Sequence, residues 1–327
     1  MKGTTYIAFT LVFLVVLAGS IVRMTGSGMG CPDWPKCFGL LIPPTSESQI
    51  TWAPDQFYSE GQMVIQDQIL WQAKVEHTSS GDEFSQEFWE QYTKHDYAEF
   101  NAFHTWVEYI NRLLGALSGI PILLLFSLSL TSRKVVPIIL SSGTLLTVLF
   151  VSWLGKLVVD GNLIPFSVTL HAVSALAVLA FLVGMMQYLS AEKFSVSRKV
   201  RVIIIASLAL SCLQLVLGTQ VREQVDILLE QGIARADIIE SLPHWWKVHR
   251  TAVWPMILLH LLWAFPVFKI QGLRKYGFIV LAILLTQTIS GFLFLNLGMP
   301  ALIQPLHILL GFGLILVDLR ALLASKI

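Results

Sequence analysis

The sequence predicts an all-α integral membrane protein of eight transmembrane helices, and three observations carry that expectation. Charged residues make up 13% of the chain, where a soluble domain holds about 25%. Mean hydropathy is +0.68. Apolar runs of helix-spanning length recur along the chain, and the charges are gathered into the segments between them; about 20 such residues cross roughly 30 Å of hydrocarbon. The net charge of +1 points to no class of partner, and nucleic acid is not among those expected.

The first run, 6–22, follows a lone basic residue, Lys2, and the Gly-Ser-Gly-Met-Gly-Cys stretch after it offers no small-x-small cleavage site. It is therefore expected to be a retained helix and not a signal peptide. The other runs are 104–130, 136–159, 166–189, 200–221, 248–268, 276–297 and 301–323. None alternates as a barrel strand would. Between the first two lies a polar segment, 24–103, read as an appendage on the bundle and not as a second domain. Its later part, 83–103, has apolar residues at helical spacing and reads either as an amphipathic helix at the membrane surface or as a solvated loop helix.

Basic residues set the orientation. If eight helices alternate, Lys2, Arg133, Lys134, Lys193, Arg198, Lys199, Arg201, Lys269, Arg274, Lys275, Arg320 and Lys326 all fall on one face. That face is expected to be cytoplasmic, with both termini on it, in the cell (inner) membrane. The acid-rich segment 24–103 holds only Lys36, Lys74 and Lys94 and is expected outside.

An internal repeat divides the chain. Ala18-Gly-Ser-Ile-Val-Arg23 closes the first helix, and Leu217-Gly-Thr-Gln-Val-Arg222 closes the fifth. Gly155 precedes His171 by 16 residues, and Gly291 precedes His307 by the same 16. Glu108-Tyr-Ile-Asn111-Arg112 of the second helix corresponds to Trp246-Lys-Val-His249-Arg250 of the sixth. The expected architecture is two pseudo-symmetric four-helix bundles, 1–190 with the long outer loop and 191–327.

Ionisable groups at membrane depth are costly and usually functional. Setting aside His77, His95 and His244 in the loops leaves His104, His171, His249, His260 and His307 in or at helices. A single one of these would more often be structural. As a set they favour function: His249 and His307 sit at matching positions of the sixth and eighth helices, and His171 is the repeat partner of His307. Facing histidines inside a four-helix bundle hold a haem iron by two axial ligands. Zinc would call for four ligands with thiolate or carboxylate help, and a proton relay for a chain of acids. Arg23, Arg112, Arg222 and Arg250 lie at the same outer level, as partners for haem propionates or as side chains snorkelling to headgroups.

The stretch Gly19-Ser-Ile-Val-Arg23-Met-Thr-Gly-Ser-Gly28-Met-Gly-Cys31-Pro-Asp-Trp-Pro-Lys-Cys37 closely resembles the first-helix and loop signature of the heme A synthases. Trp153-Leu-Gly155-Lys-Leu-Val-Val-Asp-Gly161, the Glu108-x-x-x-Arg112 core, Val248-His249-Arg250 and Gln304-Pro-Leu-His307 extend the resemblance over the chain, apart from the middle of the outer loop. It implies an eight-helix enzyme with one haem site per half. Such an enzyme oxidises a methyl group of heme O to a formyl, giving heme A by successive hydroxylations and loss of water from a gem-diol. It also implies that His249 and His307 hold a resident heme b, with Arg222 and Arg250 beside it. His171 would be an iron ligand in the substrate-haem pocket, with Arg23 and Arg112, and Glu108 an essential acid able to relay protons. The plain alternative for Glu108 is an i+4 pair with Arg112.

Where the family resemblance leads one to expect a second N-terminal histidine ligand, this chain has Asn111. His104 is the only imidazole on that helix, seven residues earlier and about 10 Å further out by helical rise. Three readings stay open: His171 holds the substrate haem alone, the haem sits higher and uses His104, or this half has lost its catalytic role. Cys31 and Cys37, expected outside, form a structural disulfide by default, to which the resemblance adds a redox role, while Cys212 lies in the fifth helix. Implied partners are the heme O substrate, heme O synthase, terminal oxidase assembly and the lipid bilayer; a homo-oligomer stays open. The rival functions are a membrane-bound b-type cytochrome and a haem carrier or assembly protein without synthase activity. A repeat-built transporter fits less well, because the histidines cluster at the outer ends.

Overall fold

The computed structural model describes residues 1–81, 83–94, 100–161 and 166–327. Its helices are α1 (Lys2–Thr25), α2 (Ala102–Ser132), α3 (Val135–Gly161), α4 (Ser167–Ser190), α5 (Arg198–Glu230), α6 (Ile238–Ser241), α7 (Trp246–Thr251), α8 (Val253–Val267), α9 (Arg274–Asn296) and α10 (Ile303–Ala324). Eight spans are long and apolar enough to cross a membrane, with α7 and α8 together forming the sixth. The protein is thus an all-α, multi-pass membrane protein, and each expected apolar run falls on one of these spans. Local chemistry sets several ends. Asn101 caps α2 by accepting from the His104 N–H, Ser197 caps α5 by accepting from Val200, and Gly26 ends α1 in the left-handed region. The break at Ala252 between α7 and α8 precedes Pro255, which has no N–H to give the preceding turn.

α1 packs on α2 and α4, and α3 completes that ring; α5 packs on α8 and α10, and α9 completes a second. The rings meet where α1 and α4 lie against α10 and α4 against α5. One apolar core accordingly runs from Ala8, Ile122 and Leu179 to Phe312 and Ile315 of α10, and another fills the second ring with Ile204, Trp263, Val280 and Leu314. Leu123, Leu146, Trp254 and Leu285 point outward, as side chains do when lipid is the solvent.

Two expectations are corrected. The fifth apolar run was expected to end at 221, but α5 continues to Glu230. The added turns are amphipathic, and Val221, Val225, Leu228 and Leu229 pack with Ile238 and Leu242 around α6; a search for uniformly apolar residues passes over such an extension. The second correction concerns 83–103. In place of a helix across that range, the described residues before α2 begins at Ala102 form a 3-10 turn at Gln86–Phe88 followed by a strand at Trp89–Gln91. Residues 95–99, including His95, lie outside the described residues. The aromatic spacing that mimics a helix serves a different purpose, because Phe84 and Trp89 pack with Tyr58 and Trp71 far away in sequence.

The long loop is built on β1 (Phe57–Tyr58), β2 (Met63–Gln66), β3 (Ile69–Ala73), β4 (His77–Thr78) and β5 (Trp89–Gln91). The order β2-β3-β5 makes one antiparallel sheet, and β1 pairs with β4. Besides the aromatic cluster, a core of Cys31, Cys37, Phe38, Ile50, Met63 and Leu70 seats this module on α2 through Tyr109. At the opposite face β6 (Phe194–Ser195) pairs with β7 (Ser325–Lys326) beside the C-terminus.

The loop reaches α2 at one point of backbone contact. A Cβ on Gly30 would lie 2.4 Å from the His104 carbonyl oxygen and 2.7 Å from the Thr105 nitrogen, and Thr105 Oγ1 donates to the Gly30 carbonyl at 2.8 Å. Neither backbone can yield without moving the helix. Gly30→Ala is expected to lower stability by about 1–3 kcal/mol in thermal unfolding of the purified protein. Gly28→Ala, whose nearest neighbour would be Arg23 at 3.8 Å, is expected to change it little; equal melting of the two variants would refute this contact.

Candidate functional site

In the second ring, α7 and α10 bring His249 and His307 together with ring centroids 6.5 Å apart. Each position is prepared by its neighbours. His249 lies over Gly218 of α5, where a Cβ would come within 3.1 Å of its ring. Gln214, one turn earlier, donates to the His249 carbonyl at 2.9 Å, next to the break before α8. His307 is fixed through Nδ1 by Ser290 Oγ at 2.7 Å, and Ser290 donates its own proton to the Gln287 carbonyl at 2.8 Å. With Nδ1 of His307 engaged by Ser290, Nε2 is the ring nitrogen open to a ligand. Nδ1 of His249 is buried and has no hydrogen-bond partner among the described residues, and Phe294 meets the His307 ring edge-on at 5.1 Å.

This donor set fits a haem. The two imidazoles, with ring centroids 6.5 Å apart, would supply a haem's two protein ligands. No group of three or more His, Cys, Asp or Glu gathers among the described residues, so an ion that needs several protein ligands lacks them. A haem brings its other nitrogens with it.

In the first ring, Asn111 lies over Gly19, where a Cβ would be 3.7 Å from its Oδ1, and that oxygen is buried without a partner among the described residues. His171 gives its Nδ1 proton to the Ser167 carbonyl at 2.8 Å, leaving Nε2 free to coordinate. His104 sits at the loop junction, with Nδ1 2.8 Å from Ser27 Oγ, itself 2.6 Å from Thr25 Oγ1.

Glu108 is buried with both oxygens engaged. Oε1 accepts from Arg112 Nε at 3.1 Å, and Oε2 accepts from the Cys31 backbone N–H at 2.9 Å. Arg112 also donates to the carbonyls of Asp33 at 2.6 Å and Lys36 at 3.0 Å. The pair therefore clamps the Cys31–Cys37 loop, which the expected disulfide closes with a Cα separation of 4.8 Å. Burial in this loop pushes the Asp33 carboxyl above its ordinary range, against the opposing pull of the Gly39 and Phe38 backbone and of Arg112.

The four arginines do not act as one group. Arg23 and Arg222 converge on Asp226 of α5, each through an ion pair, and Arg222 also donates to the Arg23 carbonyl at 2.7 Å. A cavity of about 320 Å³ opens beside this cluster, lined by Arg23, Met24, Asp226, Leu229 and Arg235 among others. Arg112 is committed to Glu108, and Arg250 is exposed, stacked on Trp246 at 4.9 Å. Sequence reasoning passed over Asp226, Arg235, Ser290 and the function of Gly218 as the floor beneath His249. An i+4 acid after Arg222 and a hydroxyl next to Gly291 were the signals available.

Eight apolar spans among the described residues, two of which bring a pair of imidazoles together, define a multi-pass membrane protein. Comparison places it more narrowly: the model of the cytochrome oxidase assembly protein family, COX15-CtaA, matches residues 3–63 and 58–319, and the chain belongs to that family. A heme A synthase of Shewanella oneidensis is 41% identical over 59 residues, which is 17% of this chain and 18% of that protein. A heme A synthase of Bacillus licheniformis is 42% identical over 55 residues, 16% of this chain and 18% of that protein. The matched stretches thus span under a fifth of either relative.

Proposed function

We propose that this protein is a heme A synthase, which oxidises a methyl group of heme O to the formyl of heme A for terminal oxidase assembly. The observation that carries the proposal is the facing pair His249 and His307 in a chain of this family. The second half, 191–327, is the resident-haem side: His249 and His307 hold heme b, with Arg222 and Arg250 at its outer edge. Bound there, the haem supplies one-electron redox chemistry. The first half, 1–190, is the substrate side, with His171 as ligand and Asn111, His104, Arg23 and Arg112 around it. Glu108 takes up and returns protons beside the reacting methyl. Its bond to the Cys31 backbone sets this carboxylate next to the disulfide and supports a redox link between them. The matched contacts of Gly19 with Asn111 and Gly218 with His249 support descent of the halves from one repeat. The basic face with both termini is cytoplasmic, and the β-containing loop lies outside.

The test is haem identification by chromatography from membranes with a heme O supply, with and without this protein. Formation of heme A that depends on the protein is expected. Bound haem without heme A would make it a carrier or a b-type cytochrome. Unchanged heme A output from His104→Ala would remove His104 from the substrate pocket.

A further inference from the structure

Eleven residues beyond His249 on the sixth span lies His260, and eleven beyond His307 on α10 lies Asp318. Eleven residues are about three turns, or some 16 Å, and return to nearly the same helix face. The two spans run in the same direction and stand diagonally across the second ring. The ring interior is therefore bridged twice, by His249–His307 near the loop face and by His260–Asp318 deeper in the membrane. Both deeper residues are fully buried, with His260 Nε2 3.0 Å from Asp318 Oδ2.

The hydrogen bonds leave the pair one exchangeable proton. His260 Nδ1 lies 2.7 Å from the Met256 carbonyl, an acceptor only, so Nδ1 is protonated. The contact between Nε2 and Oδ2 then requires one further proton, because without it a lone pair would face a carboxylate. Ser211 of α5 donates to the same Oδ2 at 3.3 Å. Asp318 Oδ1, Trp263 Nε1 and Ser207 Oγ are buried without partners among the described residues. Asp318 Oδ1 therefore keeps an open acceptor beside the pair. Of the titratable groups on the packed elements, Cys212 of α5 is within electrostatic reach of Asp318. Arg201 of α5 is bound to Ser325, and Arg320 of α10 to Ser190. α9 contributes Arg274, Lys275 and Tyr276, all in its first turn. Among the described residues no side chain of α1 or α4 bonds either member.

We propose that His260 and Asp318 form a redox-linked proton site, which takes up one proton when the haem held by His249 and His307 gains an electron and releases it when the electron leaves. The inference rests on the haem reading above. Reduction by an external one-electron donor adds one negative charge at the iron, and the proton entering the pair from water cancels it. In a low-dielectric ring an uncompensated charge would be strongly disfavoured.

The test is spectroelectrochemical titration of the haem in the full-length protein in lipid nanodiscs, across pH. The midpoint potential is expected to fall with rising pH, approaching one proton per electron where the pair titrates. Asp318→Asn, which keeps shape and hydrogen bonding, is expected to flatten that dependence. Ser211→Ala removes a donor to the carboxylate and is expected to move the window to higher pH with the slope kept. A pH-independent wild-type potential, or an unchanged slope in Asp318→Asn, overturns the inference alone. If Asp318→Asn fails to retain haem, an unmoved window in Ser211→Ala overturns it. A wild-type preparation with no haem band overturns both the inference and the reading beneath it.

Discussion

His307→Ala is expected to abolish the haem spectrum contributed by the second half, with Ser290→Ala as its graded counterpart. The substitution removes an imidazole that Ser290 holds in orientation through Nδ1, and no other imidazole replaces it on α10. Ser290→Ala leaves the ligand but frees its orientation. Loss of such a supporting hydrogen bond costs about 10–100-fold in metal affinity. Haem content and affinity, measured by reduced-minus-oxidised difference spectra during haem titration, give the ordering wild type, Ser290→Ala, His307→Ala. Gly218→Val should resemble His307→Ala, because its side chain would occupy the space under the His249 ring. Full haem binding by His307→Ala would end the assignment of this pair.

Arg112→Met is expected to be among the most destabilising single changes outside the apolar cores. It strands Glu108, a buried carboxylate, and breaking a buried pair from one side costs about 3–5 kcal/mol. It also strips the donors from the Asp33 and Lys36 carbonyls. Adding Glu108→Gln removes the orphaned charge, so the double variant should recover much of the loss. Neighbouring changes of this kind are far from additive. Thermal unfolding in nanodiscs measures both. A loss below about 1 kcal/mol in Arg112→Met, or no recovery in the double variant, would show that the ion pair carries little of the loop's attachment. Activity of Glu108→Gln reads a separate property, since the amide keeps the Cys31 contact but cannot exchange protons.

The spans were legible because lipid imposes one simple rule, about 20 apolar residues in succession, and each run met it. The rule fails where a helix leaves the hydrocarbon. Beyond Val221 only one side of α5 is apolar, so its end was placed too early. The loop was read least well: Phe84 and Trp89 look helical by spacing, yet their partners Tyr58 and Trp71 are remote in sequence, and strand pairing depends on such distant partners. At the site, matching positions on the sixth and eighth helices singled out His249 and His307, and the structure brings their rings within 6.5 Å. The internal repeat grouped four arginines that the fold separates. Asp226 explains the difference, since it draws Arg23 across 203 residues of sequence, a choice that no local pattern encodes. His260 stood among the helix histidines, but its partner Asp318 lies 58 residues away and is set opposite it only by the packing of the second ring.

At 33 residues, α5 is about 50 Å long, some 20 Å more than the hydrocarbon thickness. Its last turns carry Asp226, which clasps the end of α1 through Arg23. Hydrophobic mismatch is therefore expected to act unevenly on this molecule: bilayers of different thickness should tilt the apolar spans, whereas an ion-pair clasp beyond the apolar part of α5 should hold the two rings in register.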